Sequence, residues 1–190
     1  MKYFKHIIIF IFVNFLAFSS FANEFVGIIG AGVGEVKNQN NQKLENGSKI
    51  FYGDTIIVGS KSTAQVLFLD QTVMTLGEDS ELTIDEFVYD PQTNDGKFVS
   101  NIKSGTIKII TGKISKKDPD NLEIKIPTGA IGARGTEFVV LANSKNENTV
   151  LLLGPGPNNS LGMTPGNLAV TDGVNSVNII QPGFDTVVTD

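Results

Sequence analysis

The sequence predicts an all-β protein. Short apolar stretches recur about every 8 to 12 residues, and glycine, asparagine, aspartate and proline separate them. Apolar and polar residues alternate within several of these stretches, most clearly in Leu122–Ile126. After residue 22, no stretch keeps an apolar period of 3.6 residues. These observations favour a β-sandwich, a β-barrel or a β-solenoid over a helix-rich enzyme fold.

Residues 1–22 have the pattern of an export signal. Lys2 and Lys5 provide the positive start, an apolar run covers residues 7–18, and Ser20-Phe21-Ala22 matches the small-x-small rule for cleavage. The apolar run is shorter than the roughly 20 residues that a membrane-spanning helix needs, so cleavage is favoured over an uncleaved anchor. The sequence therefore predicts an N-terminal signal helix and a periplasmic or extracellular protein.

The composition excludes several kinds of chemistry. The chain has no cysteine and no tryptophan, and its one histidine, His6, lies in the signal. Ser-His-Asp and Cys-His catalysis, histidine-ligated zinc and disulfide bonds are therefore excluded after cleavage. A formal net charge of −5 with a single arginine also disfavours nucleic-acid binding. We expect a non-catalytic protein without a cofactor, a metal or a nucleic-acid partner.

Residues 25–34 resemble the start of a dinucleotide-binding unit, because a strand-like run is followed by glycines. Glu35 stands where the third glycine of that fingerprint belongs, and a polar loop follows instead of an amphipathic helix. We therefore expect a first strand with its glycines at a bend or a bulge.

Residues 44–84 are predicted to form short strands separated by tight turns. The turns are expected at Gly53-Asp54, Ser60-Lys61-Ser62, Asp70-Gln71 and Glu78-Asp79-Ser80. Asp70, Glu78, Asp79 and Glu81 lie close in sequence, so an acid-base pair is conceivable there. A solvated acidic turn is the simpler interpretation.

Three more strands are predicted at residues 98–102, 106–111 and 122–126. The loop at residues 90–96 carries oxygen ligands but lacks the spacing of a calcium loop. A short helical turn is expected near residues 113–117, in a loop of mixed charge.

The most distinctive stretch, residues 126–140, contains the only arginine of the chain, Arg134. Gly132 and Gly135 allow a tight turn or a close approach of the backbone, and Thr136 begins an alternating strand. We expect Arg134 to be at least partly buried, since its planar fork can satisfy several acceptors. The expected acceptors are backbone carbonyls or the carboxylates of Asp54, Asp70 or Glu137, because an unpaired buried charge is costly.

The remaining chain predicts further strands at residues 149–153, 168–170, 174–180 and 186–188, the first of them buried. We expect a β-domain over residues 23–145 and a C-terminal β extension over residues 146–190 that packs on the same domain.

Three blocks of this sequence resemble the FecR-type domain family of extracytoplasmic regulators. The blocks are Gly53-Asp54-Thr55-Ile56 with residues 59–64, residues 67–84 from Leu67 to Ile84, and Ile126-Pro127-Thr128 with residues 131–138. Together the likeness covers roughly residues 25–141. Gln71 departs from the family, in which glycine is common after the aspartate.

The resemblance implies a twisted, solenoid-like β-fold and a role in binding or signalling. Regulators of the family pass a signal from an outer-membrane receptor to a cytoplasmic sigma factor, and they carry a helical segment and a membrane span before the domain. Because a signal peptide stands there in this chain, we expect an exported binding or sensing module whose partner is an envelope protein or a cell-wall glycan. The alternatives are a structural or adhesion element of an envelope assembly and the periplasmic part of a sigma-factor pathway. The motif residues that we expect to be structural are Gly53, Asp54, Asp70, Gly77, Gly132, Arg134, Gly135 and Thr136.

Overall fold

The computed structural model describes residues 24–143 and 146–189. That part of the chain is built almost entirely of β-strands, so the all-β prediction is confirmed. The predicted signal helix lies outside the described residues. The strands are β1 Phe25–Val33, β2 Val36–Asn38, β3 Lys49–Phe51, β4 Thr55–Val58, β5 Thr63–Phe68, β6 Val73–Leu76, β7 Glu81–Tyr89, β8 Gly96–Ile110, β9 Leu122–Ile126, β10 Gly129–Arg134, β11 Glu137–Asn143, β12 Glu147–Gly154, β13 Asn167–Thr171, β14 Ser176–Ile179 and β15 Asp185–Thr189.

Helical structure in the described chain is limited to one connection. Helix α1, Lys113–Lys117, and a 3-10 turn, Pro119–Asn121, link β8 to β9. The short helix confirms the expected helical turn. None of the helices in residues 24–143 and 146–189 is both long enough and apolar enough to span a membrane.

Strand β8 joins two sheets. The first sheet has the order β3-β1-β5-β6-β8-β11-β12-β15, and the second has the order β2-β4-β7-β8-β9-β10-β13-β14. The neighbours are antiparallel except β8 and β9, which run parallel through Phe98 to Asn101. The connection through α1 is therefore a crossover, as a parallel pair requires. The strands that follow residue 146 extend both sheets, with β12 and β15 in the first and β13 and β14 in the second.

The transfer of β8 between the sheets occurs at Gly105. Its φ is +95°, which side-chain-bearing residues rarely adopt, and a Cβ there would lie 2.5 Å from the Cα of Ser80. The sequence predicted separate strands over residues 98–102 and 106–111. The structure has one 15-residue strand instead, because Gly105 bends the chain without ending its pairing.

One hydrophobic core lies between the sheets. Inward residues alternate with outward ones along β5, β6, β9 and β11, and the inward ones belong to a single cluster. Phe68 of the first sheet contacts Phe87 and Phe98 of the second, with ring centroids 5.9 and 4.7 Å apart. Complete burial of one such side chain contributes about 1.5–3 kcal/mol.

The glycine-rich first strand has the bulge that the sequence predicted. The pairing of β1 with β5 shifts register between Ile29 and Ala31, so Gly30 is the extra residue. The short strand β2 follows it, rather than the helix of a dinucleotide-binding unit.

Candidate binding surface

The first motif turn, Gly53-Asp54, is held by its own side chain. Gly53 has a φ of +81°, and Asp54 is buried. The Asp54 carboxylate accepts a hydrogen bond from the backbone N–H of Phe51 at 2.9 Å and another from the Gln39 side chain at 3.3 Å. These bonds close the turn between β3 and β4, which is a structural role.

Asp70 organises a second, deeper turn. It is 1% exposed, and its carboxylate accepts hydrogen bonds from the backbone N–H and the hydroxyl of Thr72, at 3.0 and 2.8 Å. The Thr72 hydroxyl in turn accepts a hydrogen bond from the N–H of Gly112 at 3.0 Å. Burial raises the pKa of the Asp70 carboxyl, while the hydrogen bonds from Thr72 oppose that rise. The expected solvated acidic turn is therefore wrong for Asp70, whose carboxylate bonds inside the fold.

Thr136 makes the corresponding connection in the third motif block. Its backbone N–H donates to the hydroxyl of Thr111 at 2.9 Å, and its carbonyl accepts from the N–H of Thr111 at 3.0 Å. The Thr136 hydroxyl donates to the carbonyl of Gly154 at 2.8 Å. Thr136 therefore ties the end of β8 to the end of β12.

Sequence reasoning missed the partners in these two networks. Thr72, Thr111 and Gly112 are uncharged, and nothing in the sequence around them indicates what they bond to. A Cβ on Gly112 would lie within 2.5 Å of the Asp70 carboxylate, so this position requires glycine. The Ser115 hydroxyl donates to the carbonyl of Ala133, which fixes α1 against β10.

The structure requires glycine at some of the remaining motif glycines but not at all of them. Gly135 has a φ of +56°, as expected for the tight turn after β10. A Cβ on Gly77 would lie 3.2 Å from the carbonyl oxygen of Thr106, a close approach. A Cβ on Gly132 would meet nothing nearer than 3.9 Å, so no close approach requires this glycine.

The prediction that Arg134 is buried and bonded is wrong. Arg134 is exposed, and within the part of the chain that the structure describes its guanidinium has no hydrogen bond or ion pair. The reason is strand alternation, because the preceding Ala133 points into the core at 1% exposed. The three expected carboxylate partners are engaged elsewhere: Asp54 and Asp70 bond within their turns, and Glu137 pairs with Lys108 at 2.6 Å.

Three of the four acidic residues considered as an acid-base pair have separate partners. Glu78 accepts from the backbone N–H of Lys61 at 2.9 Å, and Glu81 pairs with Lys103 at 2.6 Å. Asp70 bonds with Thr72, as described above. Within residues 24–143 and 146–189, no group of three or more acidic or histidine side chains converges as a metal site would require.

A groove of about 310 Å³ lies at the turn that follows Arg134 and is called the corner groove. The turn from β10 to β11 forms its centre, and the ends of β8 and β12 form its sides. Its lining residues are Ile110, Thr111, Lys116, Gly135, Thr136, Glu137, Leu153, Gly154, Pro155 and Met163. Ile110, Leu153 and Met163 are 39%, 40% and 51% exposed, so the groove presents apolar surface to solvent. Residues 149–153 were expected to be buried, but only alternate members of that run point inward.

Cations without acidic partners lie beside the corner groove. In the described chain, most lysines pair with a nearby carboxylate; these are Lys37, Lys43, Lys97, Lys103, Lys108, Lys117 and Lys125. Lys116 lines the groove and has no such pair, and Arg134 directly precedes the groove residue Gly135. Because Ser115 binds the carbonyl of Ala133, the chain segments that carry these two cations lie against each other. An acidic protein thus exposes unpaired positive charge next to apolar surface.

A larger polar cleft, of about 610 Å³, lies near Asp54 but is less suited to binding. Its amide side chains already bond to neighbours, Gln39 with Asp54 at 3.3 Å and Asn38 with Gln42 at 2.9 Å. A ligand there must first break those bonds, whereas the cations beside the corner groove are free of ion pairs in the described chain.

Comparison with known families agrees with the motif blocks. The family model described as FecR protein matches residues 54–154. The matched segment begins at the Asp54 turn and ends at Gly154, which accepts the hydrogen bond from Thr136. No curated protein matches the chain.

Two solved structures share the fold. Both are crystal structures of a candidate anti-sigma factor from Parabacteroides distasonis, with TM-scores of 0.53 and 0.51 and 14% sequence identity. The alignment covers 71% of this chain and 54% of that protein, so the chain spans about half the length of the solved structures. At this identity the likeness concerns the fold alone.

Proposed function

The chain belongs to the FecR family, and from that premise we propose that it is an exported, non-catalytic binding module. It acts in the cell envelope by holding an acidic surface of a protein or a cell-wall glycan at the corner groove. The export signal predicted at residues 1–22 supports the location.

The observation that carries this proposal is the exposed Arg134, which directly precedes the groove residue Gly135 and has no ion pair in the described chain. Arg134 belongs to the third motif block, but unlike the side chains of Asp54, Asp70 and Thr136 its side chain makes no hydrogen bond within the described residues. An arginine without an internal partner offers its full fork of donors to a carboxylate from outside. The motif thus contains residues that build the scaffold and one that faces solvent.

The chemistry of the corner groove favours binding over catalysis. Apart from Glu137, whose carboxylate pairs with Lys108, the groove is lined by apolar, glycine, threonine and lysine residues. Such a lining suits a partner that places an apolar group in the groove and a carboxylate against Arg134 and Lys116. Both an acidic peptide segment and the peptide stems of a wall glycan can offer that combination.

A place in a sigma-factor pathway is the second candidate. It is favoured by the family membership and by the fold shared with a candidate anti-sigma factor. In that case the corner groove binds the periplasmic part of a receptor or another regulator, and the partner is a protein.

Retention by envelope fractions tests the proposal. The tagged chain is offered separately to purified cell-wall sacculi and to solubilised envelope proteins, as wild type, as Arg134→Gln and as the control Lys61→Gln. Lys61 matches Arg134 as a cation without an ion pair in the described chain, but it lies in the turn between β4 and β5, away from the groove.

We expect one of the two fractions to retain the wild type and Lys61→Gln, and Arg134→Gln to bind roughly tenfold more weakly, as loss of one charge-assisted pair implies. All three proteins should melt at the same temperature, because the side chain of Arg134 is exposed and makes no hydrogen bond or ion pair within the described residues. Equal retention of wild type and Arg134→Gln, or no retention of the wild type by either fraction, overturns the proposal.

A further inference from the structure

Strand β15 exposes an edge of the first sheet. In the described residues β12 is its only partner strand. The carbonyl of Phe184 accepts from the N–H of Leu152 at 3.1 Å, and the register then pairs Thr186 with Val150 and Val188 with Asn148. Backbone groups alternate in direction along a strand, so those of Asp185, Val187 and Thr189 face away from β12.

This edge lacks the usual protection against pairing. Exposed edges are commonly guarded by lysine, by proline, by a bulge or by short length. At the opposite ends of the two sheets, β3 and β2 have only three residues each and contain Lys49 and Lys37. Strand β15 has five residues, Asp-Thr-Val-Val-Thr, with neither lysine nor proline and no bulge in its pairing.

A row of uncharged side chains crosses the outer face of the first sheet up to this edge. Thr106, Leu141, Thr149 and Val187 are cross-strand neighbours along one row. Leu141 and Val187 are 45% and 49% exposed. A strand added at the edge extends this row and covers part of Val187.

From these observations we propose that β15 pairs antiparallel with β15 of a second copy of the chain, centred on Val187. This pairing is independent of the corner groove. The two-fold axis places Val187 opposite Val187 and Asp185 opposite Thr189. Asp185, the only charged residue of the strand, therefore does not lie opposite Asp185 of the second copy. The outward N–H and C=O groups of all three residues then find partners, and the two first sheets become one continuous sheet. A second copy is the occupant that this register fits, since the same short strand supplies both halves.

The test uses the full exported chain and measures its mass in solution over a range of about 1 to 100 µM, because dimers dissociate on dilution. Val187→Lys places a charge on each side of the axis and is expected to weaken association at least roughly tenfold. The matched control is Val88→Lys on β7 in the second sheet, because Val88 is also about half exposed, at 54%. Circular dichroism melting shows whether each variant is folded.

A second measurement uses the absence of cysteine from the chain. Val187→Cys places the two Cα atoms about 5.5 Å apart across the axis, so a short thiol cross-linker should join two copies. Val88→Cys should remain uncross-linked. A wild type that stays monomeric throughout the range, a dimer that Val187→Lys leaves intact, or cross-linking through Val88→Cys alone overturns the proposal.

Discussion

At the scale of single residues, the family motif contains two kinds of polar residue. Asp54, Asp70 and Thr136 are buried and bonded to the backbone or to neighbouring side chains. Such groups stabilise the fold mainly because an unpaired partner is costly, at about 1–3 kcal/mol for each buried group left without its bond. Arg134 is the exception, and its outward direction follows from its position after the buried Ala133.

Asp70→Asn should change how stability depends on pH. Burial raises the folded-state pKa of Asp70 above the unfolded value, so the folded protein binds the proton more tightly. The ionised carboxylate therefore costs stability at neutral pH, and this cost disappears as the pH falls through the folded-state pKa. Wild type should gain stability relative to Asp70→Asn between pH 7 and about 4, as measured by urea denaturation at several pH values. A constant difference across that range contradicts this role.

Gly112→Ala should destabilise the protein by about 1–3 kcal/mol, because its Cβ meets both the carboxylate of Asp70 and the backbone of Thr72. Gly132→Ala is the control and should change the free energy of unfolding by less than about 0.5 kcal/mol, since its Cβ would make only ordinary contacts at 3.9 Å or more. Chemical denaturation measures the free energy of unfolding of the two variants. Equal changes in both would show that the Asp70 turn tolerates a side chain at position 112.

At the scale of elements, β8 determines the architecture. It contributes its first part to one sheet and its last part to the other, and the change occurs at Gly105. Alternation of apolar and polar residues predicted most strands, as in β9, and glycine or aspartate predicted most turns. The sequence did not show that the strands predicted at residues 98–102 and 106–111 form one strand, because a glycine between two apolar runs also occurs in an ordinary turn.

Gly105→Ala tests this dependence. The substitution adds strain of about 1–2 kcal/mol from a positive φ, and its Cβ also collides with Ser80. The comparison variant Gly53→Ala has the same kind of φ, +81°, but no atom within 4 Å of its Cβ. Gly105→Ala should therefore lose at least about 1 kcal/mol more than Gly53→Ala in thermal or urea unfolding. Similar losses of unfolding free energy in both variants would show that the close approach of Gly105 to Ser80 does not require glycine.

At the scale of the whole molecule, the sequence predicted the fold class and the family but not the exposed surface. The apolar runs of β11 and β12 have one face in the core and the other on the outside of the first sheet, and a run without alternation cannot show which residues are exposed. Arg134 was misplaced for a related reason. We expected partners for Arg134 because burying an unpaired guanidinium is costly. Which face of β10 is exposed depends instead on the pairing of β10 with β9 and β13, and the sequence does not show that pairing.

The two proposed contacts lie on different parts of the molecule. The corner groove is formed where β8, β11 and β12 end beside α1, while the dimer edge is β15. A dimer formed through β15 has two corner grooves, so it can hold a partner at two points and gain avidity. Variants at Arg134 and at Val187 should therefore affect partner binding and self-association separately.

Site-specific photo-cross-linking in living cells tests the binding proposal most directly. A photoreactive amino acid replaces Met163 in the corner groove or, as the control, Val33 at the end of β1, which is 65% exposed. We predict one discrete cross-linked product from position 163, weakened several-fold by Arg134→Gln, and none from position 33; digestion with a muramidase then distinguishes a wall glycan from a protein. No product from position 163, or the same product from both positions, would contradict binding at the corner groove.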